Sequence, residues 1–199
     1  MAPPRARLLL AALSALALAG CSGDSAGTTG TVPTQAQVAP SSEWSWETQA
    51  SPDFPRADGF AYLAGVRAAP HGAGARHPRF DRIVLELVGD APSWRVGFEA
   101  PPIVEDPSGL TVDVEGDAFL RIALHPASAV DRTGDAPEAR YDGPDRIPVD
   151  GHVVRELVQV TDRDGALTWV AGLSHQAPFT VTLLEDPPRL VVDVVDDNG

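Results

Sequence analysis

Apolar and polar residues alternate with a period of two over much of the chain, which is typical of β-strands with one buried face. The clearest stretch is Arg189–Val195, where Leu190, Val192 and Val194 share one face after two prolines that a ladder of hydrogen bonds would exclude. No segment has the periodicity of an amphipathic helix. The pattern predicts strands at 60–68, 80–88, 94–99, 110–114, 118–124, 153–161, 166–173, 179–184 and 189–195. Eight or nine short strands predict an all-β sandwich of two sheets.

The strand at 80–88 repeats the last strand. Aligned on Arg82 and Arg189, both segments are arginine, apolar, valine, apolar, acid, apolar, valine. We therefore expect two equivalent, central strands and an internal pseudo-two-fold repeat. Between the predicted strands, residues 127–151 form a long polar insertion with many acids, and a loop of this length in a compact domain is usually functional or mobile.

The N-terminus has the pattern of an export signal. Arg5 and Arg7 precede an apolar segment at 8–19 that is too short to cross a membrane. The following residues, Leu18-Ala19-Gly20-Cys21, resemble a bacterial lipobox. This resemblance implies cleavage before Cys21 and a diacylglycerol thioether on its sulfur. Cys21 is the only cysteine in the sequence, so no disulfide can form within the chain.

Composition divides the chain into three parts. Residues 1–20 are the predicted signal peptide. Residues 21–56 are the lipidated cysteine and a tether, because the segment from 22 to 42 has almost no large apolar side chain with which to form a core. Residues 57–199 are the folded domain. We expect an extracytoplasmic protein that two acyl chains hold at the cell membrane.

Charge limits the partners. The formal net charge is −13, and without Arg5 and Arg7 the remaining 13 basic residues face 28 acidic ones, a charge of −15. Such a surface repels nucleic acid and anionic lipid head groups, so we expect no nucleic-acid partner. Contact with the membrane should come from the lipid.

Five residues are candidates for a binding surface. Trp44 and Trp46 point the same way on an extended chain, where they either pack on the domain or form a stacking platform for a sugar or a partner. His71 and His77 flank a glycine-rich loop. Arg121 lies on the polar side of a predicted strand.

Catalytic and metal motifs are weak. The Ser174-His175 pair lacks the second glycine of a nucleophile elbow. Five scattered histidines lack the spacing of a metal site, and the acidic turn at 162–165 lacks the glutamate that closes a calcium loop, Leu173 being in its place. The turn is better explained as the tip of a β-hairpin. We predict no enzyme activity, no metal and no cofactor.

Glu86 and Asp193 occupy equivalent places in the two repeats and are the most tempting pair of catalytic carboxylates for glycan hydrolysis. Each alternates with apolar residues, so each points away from the core side of its strand. We expect them to be cross-strand partners of Arg121 or Arg155.

Several segments together resemble a known family. They are the strand at 80–87, the strand at 118–124, the hairpin return at 167–173 and the ending F-x-V-x-L-x-x-D-P-P-R-L-V-V-D-V at 179–194. The chain resembles the AMIN-like domain of actinobacterial secreted proteins and lipoproteins over roughly residues 59–196. That group is similar to the AMIN domain, which precedes periplasmic N-acetylmuramoyl-L-alanine amidases and pilus secretins.

The resemblance implies two sheets related by pseudo-symmetry and a non-catalytic domain that localises its protein in the envelope by contacting peptidoglycan. No amidase or secretin domain follows in this sequence, so we do not expect the domain to target a fused enzyme. Three hypotheses stay open. The domain binds cell-wall polymer or a wall-associated protein, it is a protein-interaction subunit without glycan affinity, or it is a small glycan hydrolase.

Overall fold

The computed structural model describes residues 43–75 and 77–198. These residues form strands and loops, and none of them is helical. The strands are β1 (Gln49–Ala50), β2 (Ala61–His71), β3 (Phe80–Gly89), β4 (Ser93–Glu99), β5 (Ala118–His125), β6 (Ala127–Ser128), β7 (Val130–Asp131), β8 (Glu138–Ala139), β9 (Arg146–Pro148), β10 (Val154–Arg163), β11 (Ala166–Leu173), β12 (Phe179–Leu184) and β13 (Arg189–Val195). The prediction of an all-β fold is confirmed.

Two sheets pack face to face. The six-stranded sheet has the order β1-β4-β5-β11-β10-β9, and the five-stranded sheet has the order β12-β13-β3-β2-β6. Strands β7 and β8 form a separate small pair. Alternate side chains of both sheets fill the space between them, including the fully buried Leu85, Leu120, Trp169 and Phe179. The period-two pattern is therefore the pattern of a sandwich core.

The two copies of the repeat, β3 and β13, are antiparallel neighbours in the five-stranded sheet. Val84 lies opposite Val191, and Arg82 lies opposite Asp193. The repeat thus relates the strands about a local two-fold axis at the Val84–Val191 pair. The resemblance implied an axis that relates the two sheets to each other. The observed axis instead passes through the five-stranded sheet, between β3 and β13.

The charges around this axis are not symmetric. Arg82 donates from Nε and Nη2 to the two carboxylate oxygens of Asp193, at 2.7 and 2.8 Å. Symmetry would pair Glu86 with Arg189, which lies opposite it, but Glu86 forms its ion pair with Arg67, at 3.0 Å. The Nε of Arg189 is buried and has no hydrogen-bond partner among the described residues.

The arginine partners predicted for Glu86 and Asp193 are therefore wrong, although both acids are ion-paired. Arg121 and Arg155 belong to the six-stranded sheet, on the other side of the core. Arg121 binds Glu99 of the adjacent strand, and Arg155 donates to two backbone carbonyl oxygens at 2.7 and 3.2 Å. The sequence alternation gives the face of a side chain, but it does not give the neighbouring strand.

The predicted strand at 110–114 is also wrong. Residues 100–117 form a loop over the outer face of the six-stranded sheet, with one isolated β-bridge between Val104 and Thr111. The apolar residues of the loop pack on outward-facing valines of the sheet; the cluster comprises Ile103, Val114, Val158, Val160 and Val170, with Val112 and Phe119 against it. The alternation at 110–114 reflects one-sided packing on a sheet rather than pairing with a strand.

Residues 45–50 connect an edge of one sheet to an edge of the other. The backbone N–H and C=O of Ser45 exchange hydrogen bonds with Phe179 of β12, both at 2.9 Å. The Gln49 side chain donates to the Phe179 carbonyl and accepts from the Val181 N–H. Strand β1 then pairs with β4. The folded region therefore begins before the boundary at residue 57 that the composition suggested.

The polar insertion at 127–151 contains strands β6 to β9 and is attached to the sandwich. Tyr141 lies almost perpendicular to the buried Trp169, with 5.8 Å between ring centroids. Arg140 donates to Asp131 at 2.7 Å, and the Tyr62 hydroxyl donates to the same carboxylate at 3.1 Å. The Arg140 guanidinium holds the pKa of Asp131 well below its usual range.

Candidate functional site

A groove crosses the outer face of the six-stranded sheet at β4 and β5. It has a volume of about 370 Å³. We call it the β4–β5 groove, and its lining residues are Thr48, Phe54, Arg95, Gly97, Phe98, Glu99, Arg121 and Ala123. Three elements position these side chains: β4, β5 and the segment from 48 to 54 beside β4.

The strand register explains why a depression exists here. Arg95 lies opposite Ala123, and Arg121 lies opposite Gly97, so each long side chain faces a small residue. A Cβ atom added at Gly97 would collide with the Thr48 hydroxyl, which fixes glycine at this position. The gap between the two arginines therefore exists because each arginine lies opposite a small residue on the adjacent strand.

The two arginines differ in their partners. Arg121 and Glu99 form a two-pronged ion pair, with Nη2 to Oε1 at 3.0 Å and a second contact from Nε to Oε2. Arg95 is exposed and forms no hydrogen bond or ion pair with the residues that the structure describes. The groove thus contains one neutralised guanidinium and one that is available to a ligand.

A second depression continues the β4–β5 groove. It has a volume of about 270 Å³ and shares Phe98 and Glu99 with the first. Pro101, Phe119 and Gln176 line its far part. The two adjoin at Phe98 and Glu99 and combine apolar surface with charged and polar groups, as ligand sites commonly do.

Three of the predicted binding residues meet around Phe80. His71 stacks on the Phe80 ring at 4.8 Å between centroids, His77 contacts it edge-on at 5.3 Å, and Trp44 lies at 6.2 Å. Phe80 itself is only 2% exposed. Burial lowers the pKa of His71, which keeps the ring neutral at neutral pH. This cluster closes the end of the sheet.

The remaining candidates lie elsewhere. Trp46 is 48% exposed, and Arg121 lies in the β4–β5 groove. Cys21 lies outside the described residues. As binding or lipidation residues, all six stay predictions. Within residues 43–75 and 77–198, no group of three or more His, Cys, Asp or Glu side chains could hold a metal ion.

Ser174 and His175, which lack the second glycine of a nucleophile elbow, belong to a chain of polar contacts. Ser174 Oγ lies 3.0 Å from His175 Nδ1, and His175 Nε2 lies 3.0 Å from an Asp197 carboxylate oxygen. The Asn198 amide also contacts Nε2, at 2.8 Å. In Ser-His-Asp hydrolases the serine contacts Nε2 and the carboxylate contacts Nδ1, so the ring here is used in the opposite sense.

Sequence reasoning missed Arg95 and the buried Asp81. Arg95 alternates with two apolar neighbours like any outward residue, and only the register with Ala123 reveals the gap beside it. The sequence contains a signal that could have identified Asp81 as a special residue. Asp81 occupies the same face as Ile83, Leu85 and other core residues, where an acid is unexpected.

The fold gives the structural class of this protein, and a sequence comparison gives its family. Two packed, mainly antiparallel sheets form a β-sandwich domain, and one outer face carries a shallow groove. The chain belongs to the AMIN-like domain family, whose sequence profile matches residues 61–196. This confirms the resemblance that the strands at 80–87 and 179–194 carry. No curated protein matches the chain, and no solved structure matches it.

Membership of the family indicates a non-catalytic, cell-wall-related domain in an extracytoplasmic protein. Among the described residues, no helix is long and apolar enough to span a membrane.

Proposed function

We propose that this protein is a non-catalytic envelope lipoprotein, anchored through Cys21, whose β4–β5 groove binds cell-wall polymer. The observation that carries the proposal is the extended groove with aromatic walls and an available guanidinium. Its two depressions follow the β4–β5 pair for several residues, a shape that suits a chain-like ligand. The family match supports the wall as the source of that ligand.

The state of the tempting carboxylates also supports a non-catalytic domain. Glu86 and Asp193 are each held by an arginine on the same sheet face, Arg67 and Arg82 respectively. A glycosidase needs two carboxyl groups on opposite sides of the scissile bond, about 5–10 Å apart across a cleft. Two acids that are already paired within one sheet do not meet this requirement.

The test is co-sedimentation of the detergent-solubilised full chain with insoluble peptidoglycan. The variant Ala123→Gln fills the floor of the groove, and Ala136→Gln makes the same change at an exposed loop position far from it. We expect the wild type and Ala136→Gln to pellet and Ala123→Gln to stay largely in the supernatant. A wild type that stays soluble at every salt and divalent-cation concentration contradicts the proposal.

The alternative of a protein-interaction subunit has one observation in its favour. Val88 and Phe60 are 59% and 37% exposed, and Val88 lines a third pocket, of about 450 Å³, with Tyr62 and Arg140. Exposed apolar groups beside a pocket are typical of contact surfaces. Under this alternative, Val88→Glu abolishes co-purification of an envelope protein while peptidoglycan binding is absent.

A further inference from the structure

We propose that the β4–β5 groove recognises a carboxylate group of its ligand through the guanidinium of Arg95. The inference deepens the proposed function and rests on it, because it names the chemical group that the groove selects. It applies to a carboxylate on a sugar, such as an ether-linked lactic acid, and to the carboxylate of a short peptide.

The charge pairing of the described residues distinguishes Arg95. In this acidic protein most arginines are joined to carboxylates by ion pairs; they are Arg56, Arg67, Arg79, Arg82, Arg121, Arg132, Arg140, Arg146 and Arg163. Arg95 has no such partner, although acidic side chains are abundant. Arg155 and Arg189 also lack a carboxylate partner, but neither lines the β4–β5 groove.

The groove already contains one example of the proposed interaction. Arg121 and Glu99 form a two-pronged pair, the geometry in which a planar guanidinium matches the two oxygens of a carboxylate. Arg95 and Arg121 lie on the same face, one on each strand, as diagonal neighbours across Gly97 and Ala123. A ligand carboxylate on Arg95 would form a second pair of the same type beside the first.

The electrostatics favour a single negative charge. Glu99 cancels the charge of Arg121, so Arg95 leaves the groove with one net positive charge. The rest of the surface is acidic and repels larger anions at a distance. A ligand with one carboxylate beside an apolar body satisfies both Arg95 and the apolar side chain of Phe54.

The experiment is an NMR titration of the detergent-solubilised full chain, followed at the backbone amides of Gly97 and Ala123. The four probes are N-acetylmuramic acid, acetyl-alanine, N-acetylglucosamine and dimethyl phosphate. They present a sugar carboxylate, a peptide-type carboxylate, a sugar without a carboxylate and a phosphodiester. We expect at least one carboxylate probe to bind about fivefold more tightly than N-acetylglucosamine and dimethyl phosphate.

Three variants test the role of Arg95. Arg95→Gln should weaken carboxylate binding about fivefold, the upper range for an exposed ion pair. Arg67→Gln removes the same charge on the other sheet and should change binding less than about twofold. Glu99→Gln frees Arg121 and should strengthen binding.

Each outcome decides between the two carboxylate sources or overturns the inference. Tighter binding of N-acetylmuramic acid assigns the group to the sugar, and tighter binding of acetyl-alanine assigns it to the peptide. Equal loss in Arg95→Gln and Arg67→Gln, or equal binding of the phosphodiester, overturns carboxylate recognition. If Ala123→Gln abolishes sedimentation with peptidoglycan while Arg95→Gln does not, the proposed function holds and this inference fails. If the wild type does not sediment, the proposed function itself fails.

Discussion

The buried carboxylate of Asp81 connects the two sheets through hydrogen bonds. Its side chain is 0% exposed and accepts three backbone hydrogen bonds, from His152 at 2.9 Å, Val153 at 2.6 Å and Val154 at 2.8 Å. These bonds join the start of β3 in one sheet to the start of β10 in the other. A Cβ atom at Gly151 would lie 2.5 Å from the carboxylate, so the turn before β10 requires glycine there.

Replacing Asp81 with alanine should destabilise the fold strongly. Two buried N–H groups and a half-buried one would lose their acceptor, and we expect the free energy of unfolding to fall by about 3 kcal/mol. Urea unfolding of Asp81→Ala measures the loss. Asp135→Ala, at an exposed loop position, is the matched control and should stay within about 0.5 kcal/mol of the wild type. Similar losses in the two variants would refute the structural role of Asp81.

At the scale of single residues, the sequence therefore predicted the face of a side chain better than its partner. Arg121 was correctly placed on an outward face, but its ion pair with Glu99 required knowledge of the strand register. Arg95 was missed for the same reason. The acid at position 81 was visible as an exception to the core pattern, yet its three donors lie more than 70 residues away along the chain.

The loop at 100–117 is the element on which the sequence pattern was misleading. Its apolar residues alternate as in a strand, but they pack onto the valines of the six-stranded sheet. The loop passes so close to β11 that a Cβ atom at Gly172 would collide with the Glu115 carbonyl oxygen. Gly172 thus allows a second apolar layer outside the sandwich core.

Substituting Gly172 with alanine should lift this loop from the sheet. We expect a loss of about 1–3 kcal/mol, because overpacking forces the backbone to shift and exposes the outer valines. Urea unfolding gives the loss, and hydrogen exchange at Val170 and Val158 reports the opening of the loop. Gly72→Ala, where an added Cβ meets nothing within 4 Å, is the control. Unchanged exchange at both valines would contradict the prediction.

Local elements with strong turn signals were predictable. The hairpin β10–β11 turns at Asp164 and Gly165, which have positive φ values of 52° and 78°. An Asp-Gly pair favours this turn because both residues tolerate the left-handed region at low cost. The order of the strands in the sheets was not predictable, since pairs such as β3 and β13 form over long separations that no local pattern specifies.

At the scale of the whole molecule, the proposed anchor makes a direct prediction. The variant Cys21→Ala cannot carry a thioether-linked lipid, so the protein should appear in the soluble fraction or the medium. Fractionation after a salt wash measures this, with Ser22→Ala as a neighbouring control that keeps the cysteine. A Cys21→Ala protein that still fractionates with membranes would refute the lipid anchor. The formal net charge of −13 disfavours binding to anionic lipid head groups.

The segment from 45 to 50 gives the domain a mechanical property. A force applied to the chain before Trp44 reaches the sandwich at the Ser45–Phe179 hydrogen bonds and then at Gln49 and β1. These contacts belong to the edges of both sheets, so the load is shared between the two layers instead of peeling one strand from one sheet. A domain held in this way can withstand a pull on the chain before Trp44 while its groove, on the face of β4 and β5, keeps its shape.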